Sequence, residues 1–396
     1  MVELADRGSC TGCAACATVC AKGAIRMLPD DEGFLMPQID SAVCVGCGRC
    51  AKVCPVLNAK GSAQSKNPAA FVARAKDGNL RLASTSGGVF SLLAQQVLRD
   101  GGVVFGAAYD PVERRGCHQA IMAESDLCKL RGAKYVQSDV GSTYAEVCAH
   151  LKAGRAVLYS GTPCQIAALK ASVAGLGGAS LDRLLTVEVV CNSVPSPVIL
   201  RKWLEASGAD HLEGQSLRFR DKTHGWRSRT LMLSSGERSM TLPSPDVYYD
   251  LWQKGYTVRR SCLSCRFRNL QSGADVTIGD AWGIEGMGSS AAKLDDGKGV
   301  SVILANTERG RRSIDRISDL IDLQTVSFPD VIRGNPALVR TPDYLFTAGE
   351  RRTAFWRAAR NSTDVICVAR RFTRPPLKMR IRHLGGRVLR KLGLRK

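Results

Sequence analysis

Two stretches decide the first part of the fold: CTGCAACATVC at residues 10–20 and CVGCGRCAKVCP at residues 44–55. Each has the form Cys-x-x-Cys-x-x-Cys-x-x-x-Cys, and the second begins 34 residues after the first, so the chain opens with an internal repeat. Two-residue gaps let three successive sulfurs turn toward one point, and a cubane 4Fe–4S centre needs four thiolates, so the fourth comes from elsewhere. A tetrahedral zinc site, which is built from two Cys-x-x-Cys knuckles, fits this spacing poorly. Gly12, Gly46 and Gly48 give the backbone room to wrap and to aim N–H groups at sulfur.

In two-cluster ferredoxins the fourth cysteine of each run ligates the other cluster. The expected ligand sets are therefore Cys10, Cys13, Cys16 and Cys54 for one cluster, and Cys44, Cys47, Cys50 and Cys20 for the other. Pro55 follows Cys54, as the ferredoxin pattern wants. Ala21 stands at the matching place after Cys20 and removes no ligand. Residues 1–58 are thus expected to form a bacterial-ferredoxin domain with two 4Fe–4S clusters.

The chain has 396 residues, sixteen of them cysteine. That length suggests two or three domains, and the ordinary apolar fraction argues for folded ones. A disulfide scaffold suits short secreted domains better than this chain. Residues Met1 to Ser9 carry no apolar signal-peptide core, and no run of about 18 uncharged apolar residues appears, so no membrane span is expected. The expectation is a cytoplasmic protein, its thiols bound to metal. The net charge of +20 is concentrated: Arg351 to Lys396 holds fifteen Lys and Arg against one acid, Asp364. This basic tail says little about the fold. It is expected to stay solvated, to dock on an acidic partner, or to touch the inner membrane face peripherally. No specific nucleic acid is expected, because no recognition motif accompanies the charge.

After a polar linker, Asn58–Pro68, strands and helices alternate. Strands are expected at Val103–Ala108, Ala156–Ser160, Leu185–Val190, Val276–Ile278 and Val300–Ala305. Val89, Leu92, Leu93 and Val97 fall on one helical face that Gly101-Gly102 can end. Residues 214–260 are expected to hold antiparallel strands, and the pattern weakens after Pro329. The fold class is therefore α+β or mixed α/β. The expected order is the ferredoxin domain (1–58), two units of the α/β body (69–155 and 156–330), and the basic extension (331–396).

Four further cysteines stand in informative places. Cys164 sits at an expected helix N-terminus, where dipole and free N–H groups favour a thiolate. Cys191 ends a strand, and Cys262 and Cys265 form a Cys-x-x-Cys pair. Spacing alone leaves a shared cluster, a redox disulfide, half a zinc site and plain packing open. Cys148 falls with Tyr144, Val147 and Leu151 on an apolar helical face, and Cys117, Cys128 and Cys367 have no partner at ligand spacing. Ser84–Gly88 precedes a helix and suits a phosphate or a plain N-cap. Lys134–Ser138 suits a flavin or a strand edge. His224 reads as structural, and no catalytic residue is singled out.

Together these pieces resemble the coenzyme F420 hydrogenase/dehydrogenase beta subunit family, in the form with a fused N-terminal ferredoxin, over residues 1–310. The marks are Ser86-Gly87-Gly88, Phe105–Tyr109, Lys134–Ser138, Gly161–Ala167, Cys191 with Val194–Pro197, Phe219–Lys222, Cys262 with Cys265, and Gly279–Gly283. The resemblance implies a flavin-binding body with non-covalent FAD near Ser86, Gly87, Gly88, Lys134, Tyr135, Gln137, Ser138 and Thr162. It also implies a third 4Fe–4S cluster on Cys164, Cys191, Cys262 and Cys265. Glu188 and Asn192 depart from it, since Asp commonly stands three before that cysteine and His after it. The expected function is an iron–sulfur flavoprotein oxidoreductase. It would pass electrons between a low-potential donor protein and FAD, with hydride transfer to or from an organic substrate or deazaflavin coenzyme. The alternatives are an electron-delivery subunit without a substrate site, serving for example a polysaccharide enzyme, and a basic-tail membrane- or nucleic-acid-binding protein with structural clusters.

Overall fold

The computed structural model describes residues 2–58, 68–208, 216–235, 238–242 and 247–374. Most of the linker and the tail from residue 375 onward therefore lie outside the described residues.

Each cysteine run wraps tightly and then turns into one short helix, α1 (Ala15–Thr18) in the first run and, after the hairpin β1 (Ile25–Pro29) and β2 (Leu35–Ile39), α2 (Arg49–Val53) in the second. The wrapping uses left-handed backbone at Gly12 (φ 66°), Gly46 (φ 69°) and Gly48 (φ 71°). Gly12 is required twice over, because a Cβ there would stand 2.7 Å from the Leu35 carbonyl oxygen.

The body is built on one nine-stranded mixed sheet. Its chain begins with β3 (Ala69–Ala75), α3 (Gly78–Ala83), α4 (Val89–Arg99), β4 (Val103–Asp110) and β5 (Arg115–Ile121). It continues through α5 (Leu127–Leu130), β6 (Ser138–Asp139), α6 (Thr143–Lys152), β7 (Val157–Gly161), α7 (Pro163–Leu176) and β8 (Leu184–Val189). An excursion follows: α8 (Pro197–Ala206), the antiparallel strands β9 (Ser216–Asp221), β10 (Thr230–Ser235) and β11 (Arg238–Leu242), then α9 (Val247–Gln253) and α10 (Arg260–Leu263). The chain returns through β12 (Val276–Asp280), α11 (Ser289–Ala292), β13 (Ser301–Ala305), α12 (Glu308–Asp315), β14 (Ile321–Thr325) and α13 (Phe328–Gly334). The order across the sheet is β14-β3-β13-β12-β8-β7-β4-β5-β6. Strands β12, β8, β7 and β4 run parallel side by side. Because β4 and β7 are neighbours, the sheet continues across residues 155 and 156.

Alternate strand residues face opposite layers. Val104, Leu158 and Ile303 pack with Leu92, Leu93 and Ile314 of α4 and α12. Val103, Phe105, Val157 and Tyr159 pack with α6 and α7. That second layer also takes Ala14, Ala15, Val19 and Val53 of the N-terminal unit, so α7 is held between the sheet and the cysteine loops. Gly175 makes the fit, since a Cβ there would stand 2.5 Å from Val53. Burying each such valine contributes about 1.5–3 kcal/mol.

Past β14 the sequence pattern weakens, yet the chain forms α13, α14 (Arg351–Arg360) and α15 (Val365–Thr373). Tyr256 joins these last two helices to the body, meeting Phe372 edge-on and Phe355 at a tilt, while Phe355 packs edge-on against Trp356 and Phe372. The charged half of α14 faces the N-terminal unit, where Arg352 grips the buried Glu32. No helix of the described residues is long and apolar enough to cross a membrane.

Candidate electron-transfer centre

Parallel strands end where their helices begin, and open α/β sheets place their sites there. Strand β7 ends at Gly161 and hands on to Thr162, which caps α7 together with Gln165, so that Cys164 enters the first helical turn. The Thr162 hydroxyl lies 3.2 Å from its sulfur. Strand β8 ends two residues before Cys191. Cys262 lies on α10 and Cys265 in the turn after it. Cys164, Cys191, Cys262 and Cys265 line one cavity, with Thr11 and Arg259 in its wall.

Thr11 belongs to the loop of the neighbouring site. Cys10, Cys13, Cys16 and Cys54 line a second cavity, closed by Ala14, Met27 and Pro55. The two cavities are close enough for Cys13 to act electrostatically on Cys164. Cys20, Cys47 and Cys50 form the third group around the loop that carries Cys44. Gly12 N–H points at Cys10 Sγ (3.4 Å) and Ala24 N–H at Cys20 Sγ (3.3 Å).

The donor sets fit a cationic core. Burial first, and then neighbouring thiolates, push the Cys262 thiol up to about 11 and hold Cys164 and Cys191 higher still. Cys13 is pushed up to about 11 by the same burial, partly opposed by the Ala15 N–H. Four neighbouring sulfurs that repel one another as anions are what iron ions offset. Among the described residues no three His, Cys, Asp or Glu side chains close on a single-ion site.

Arg259 ties the cavities together. It is 2% exposed and donates to the Cys10 carbonyl (2.9 Å), Gln137 Oε1 (2.9 Å) and the Leu35 carbonyl (3.0 Å). Gln137 in turn donates to the Thr11 carbonyl. Arg259 is absent from the residues expected at the site, because nothing local in the sequence distinguishes it from a surface arginine.

The residues read as flavin contacts fall into separate places. Ser86 donates to the Val300 carbonyl (2.6 Å), Gly87 approaches the Ala73 carbonyl, and Gly88 starts α4 in left-handed backbone. Thr85 accepts from Ala133 N–H, which brings Lys134 to the same loop. Burial pulls Lys134 down to about 7. Tyr135 lies 4.8 Å from the Trp252 ring and beside Arg220. By contrast, Gln137 faces the cysteine loops, Ser138 pairs with His118 (2.8 Å), and Thr162 faces the cavity of Cys164.

Next to Ser86, Lys222 donates to the carbonyls of Ser86 (3.0 Å), Arg81 (2.6 Å) and Lys298 (2.6 Å). Burial, then Arg220, pull it down to about 8. Burial works against the Arg220 charge, but Tyr135 and Asp280 more than offset it. Arg220 grips Asp280 at the end of β12 and covers the Trp282 ring. Arg81 Nε, Arg220 Nε and Asp280 Oδ1 are nevertheless buried without a hydrogen-bond partner. Such orphans in one region fit a polar ligand.

The remaining cysteines are bland. Cys148 is buried in the α6 face, Cys128 and Cys367 are exposed, and Cys117 is half-buried on β5. His224 is exposed.

A dicluster loop pair set against the strand ends of a mixed α/β body defines an iron–sulfur protein of oxidoreductase type. Residues 9–58 match the 4Fe-4S dicluster domain, and residues 154–330 match the C terminus of the coenzyme F420 hydrogenase/dehydrogenase beta subunit. The chain thus carries the C-terminal domain of the coenzyme F420 hydrogenase/dehydrogenase beta subunit family, with a 4Fe-4S dicluster domain at its N-terminus. Among curated proteins no relative matches. A similar solved chain comes from the F420-reducing [NiFe] hydrogenase complex of Methanosarcina barkeri. It is 16% identical with a TM-score of 0.45, over 74% of this chain and 94% of that one.

Proposed function

We propose that this chain is an iron–sulfur flavoprotein that exchanges electrons between a low-potential one-electron carrier and an organic substrate or deazaflavin coenzyme. One observation carries the reading: Cys164, Cys191, Cys262 and Cys265 line a cavity whose wall includes Thr11, the residue after Cys10. In this reading two sets of four thiolates hold clusters on either side of that wall, and the set with Cys47 holds a third cluster. Bound FAD would supply the exchange between single electrons and hydride, which clusters passing one electron at a time do not.

The residues of the chain have defined tasks in this scheme. Arg220, fixed by Asp280 and Tyr135, and Arg81 offer buried donors to a polar ligand. Ser86, Gly87 and Gly88 frame the same region, and Lys134, pulled to about 7, holds or releases a proton at Nζ near neutral pH. Arg259 and Gln137 keep the two cavities in fixed register and close them to water.

Anaerobic purification with iron, sulfide and flavin determination tests the reading. About twelve irons and one FAD per chain support it. About eight irons and no flavin in a fully reconstituted sample overturn it, in favour of an electron-delivery subunit without a substrate site.

A further inference from the structure

Electrons need an entry point, and the surface around Cys47 has the character of one. Of the eight cysteines in the dicluster domain, Cys47 alone is exposed. Beside it Val43 is 43% and Val45 65% exposed, an apolar centre on the loop. Lys22 follows Cys20 by two residues, and Arg49 and Lys52 stand three apart on α2, all exposed. Arg49 donates to the Gly175 carbonyl (2.9 Å) at the end of α7, so the rim continues onto the body. There Lys152 lies against Gly178, and Arg183 donates to the Gly154 carbonyl (2.9 Å).

The charge of this rim is uncompensated. Among the described residues no acid lies within ion-pair distance of Lys22, Arg49, Lys52, Lys152 or Arg183, whereas Arg7, Arg74, Arg99 and Arg227 elsewhere are all paired. Two acids flank the rim. Asp40 caps Ala42 N–H, and Asp182 accepts from Ser180 with Arg309 at 3.9 Å. An apolar centre with unpaired cations close by in the chain and an exposed cluster ligand suits a transient, electrostatically steered encounter.

We propose that this face is the docking surface of an acidic one-electron carrier protein, and that electrons cross between carrier and chain at the site of Cys20, Cys44, Cys47 and Cys50. The inference rests on the cluster reading above. One electron leaves the reduced carrier per encounter and is taken up by the chain, with no bond made or broken and no proton moved. The carrier's acidic surface meets Lys22, Arg49 and Lys52, and its apolar centre covers Val43 and Val45.

The test follows bleaching of the reconstituted full chain by stopped flow under two reductants. One is a reduced acidic two-iron ferredoxin; the other is reduced methyl viologen, a small cation. With the wild type, the ferredoxin rate constant is expected to fall steeply with ionic strength. The Lys22→Glu/Lys52→Glu variant is expected to lose at least tenfold in that rate at low salt, and most of its salt dependence, without slowing toward viologen. Arg311→Glu/Arg312→Glu, on α12 across the sheet, is expected to leave both rates unchanged. A Lys22→Glu/Lys52→Glu variant that keeps its ferredoxin rate, or a control that loses as much, overturns the docking surface. A wild-type chain of full iron content that viologen does not bleach overturns the cluster reading and the docking surface with it.

Discussion

Glu32 sits at the turn of the β1–β2 hairpin with its side chain 3% exposed, and Arg352 of α14 reaches it at 12% exposure. Arg352 makes a two-pronged contact with the carboxylate, 2.7 Å at Oε1, and donates to the Val258 carbonyl at 2.9 Å. Breaking a buried pair by removing one partner costs about 3–5 kcal/mol, because the survivor is left buried and uncompensated. Here Arg7 and Arg260 lie 3.9 and 3.8 Å from the same carboxylate and soften the loss of Arg352. Arg352→Met is therefore expected to cost about 2–3 kcal/mol of docking stability. Glu32→Gln is expected to cost at least as much, since it leaves three cations facing one another. The double variant should fall short of the sum by about 2 kcal/mol. The neighbouring pair Asp31–Arg360, with both side chains more than 40% exposed, should contribute under about 1 kcal/mol. Hydrogen exchange on the full reconstituted chain measures this directly. Amides of residues 25–39 should exchange roughly 30- to 150-fold faster in either single variant, while those of β7 stay slow. Unchanged exchange in the hairpin, or single effects that add within about 0.5 kcal/mol, would refute the clamp.

Arg259→Met removes a buried cation beside two cluster sites, so both midpoint potentials should fall, by on the order of 50–100 mV for one charge at an effective dielectric near 20; Arg259→Lys should recover part of the shift, and potentiometric titration reads both. Gly12→Ala combines left-handed strain with backbone contact at 2.7 Å and should lose about four irons per chain. Gly46→Ala meets nothing within 4 Å, so it should keep its iron at a strain cost of about 1–2 kcal/mol. His118 is held down to about 4 by burial, so the unfolded chain takes up its proton first as pH falls below about 6.5. The folded state should lose about 2 kcal/mol between pH 7.5 and 5 from this group, and His118→Gln should flatten that part of the pH–stability curve.

The cysteine framework was legible because covalent spacing carries it: three sulfurs two residues apart can converge whatever the rest of the chain does. The mixed α/β body was legible from buried apolar runs such as 103–108 and 300–305, which became β4 and β13. The C-terminal helices were not. Arg351–Arg360 carries four arginines in ten residues, and its apolar side, Phe355, Trp356 and Ala359, reads as a stripe only once Tyr256 and Phe372 are there to meet it. The separation of Gln137 from Lys134 and Tyr135 was equally hidden. Strict alternation would put Tyr135 and Gln137 on one face, but the backbone here is irregular and bends at Val136 before β6 begins, so the five-residue motif serves two neighbourhoods at once. Tyr135 turns to the aromatic layer of Phe219 and Trp252, and Gln137 to the cysteine loops.

Arg259 gives the arrangement its internal logic. Its side chain donates to backbone carbonyls, the Gln137 amide and the Met36 sulfur, and among the described residues no carboxylate lies within ion-pair distance of it. A cation at 2% exposure without a counter-charge would cost several kcal/mol. In the proposed assignment, four thiolates around each cubane core would leave net negative charge on either side of this guanidinium, at Cys10 and Cys13 on one side and Cys262 on the other. The charge that makes Arg259 expensive in an empty chain thus becomes favourable when both sites are loaded. Cluster assembly and docking of the N-terminal unit are then one coupled equilibrium rather than two, since metal binding to sites that need the fold contributes directly to folding. On that assignment, emptying either site is expected to loosen the wall that sets its distance from the other.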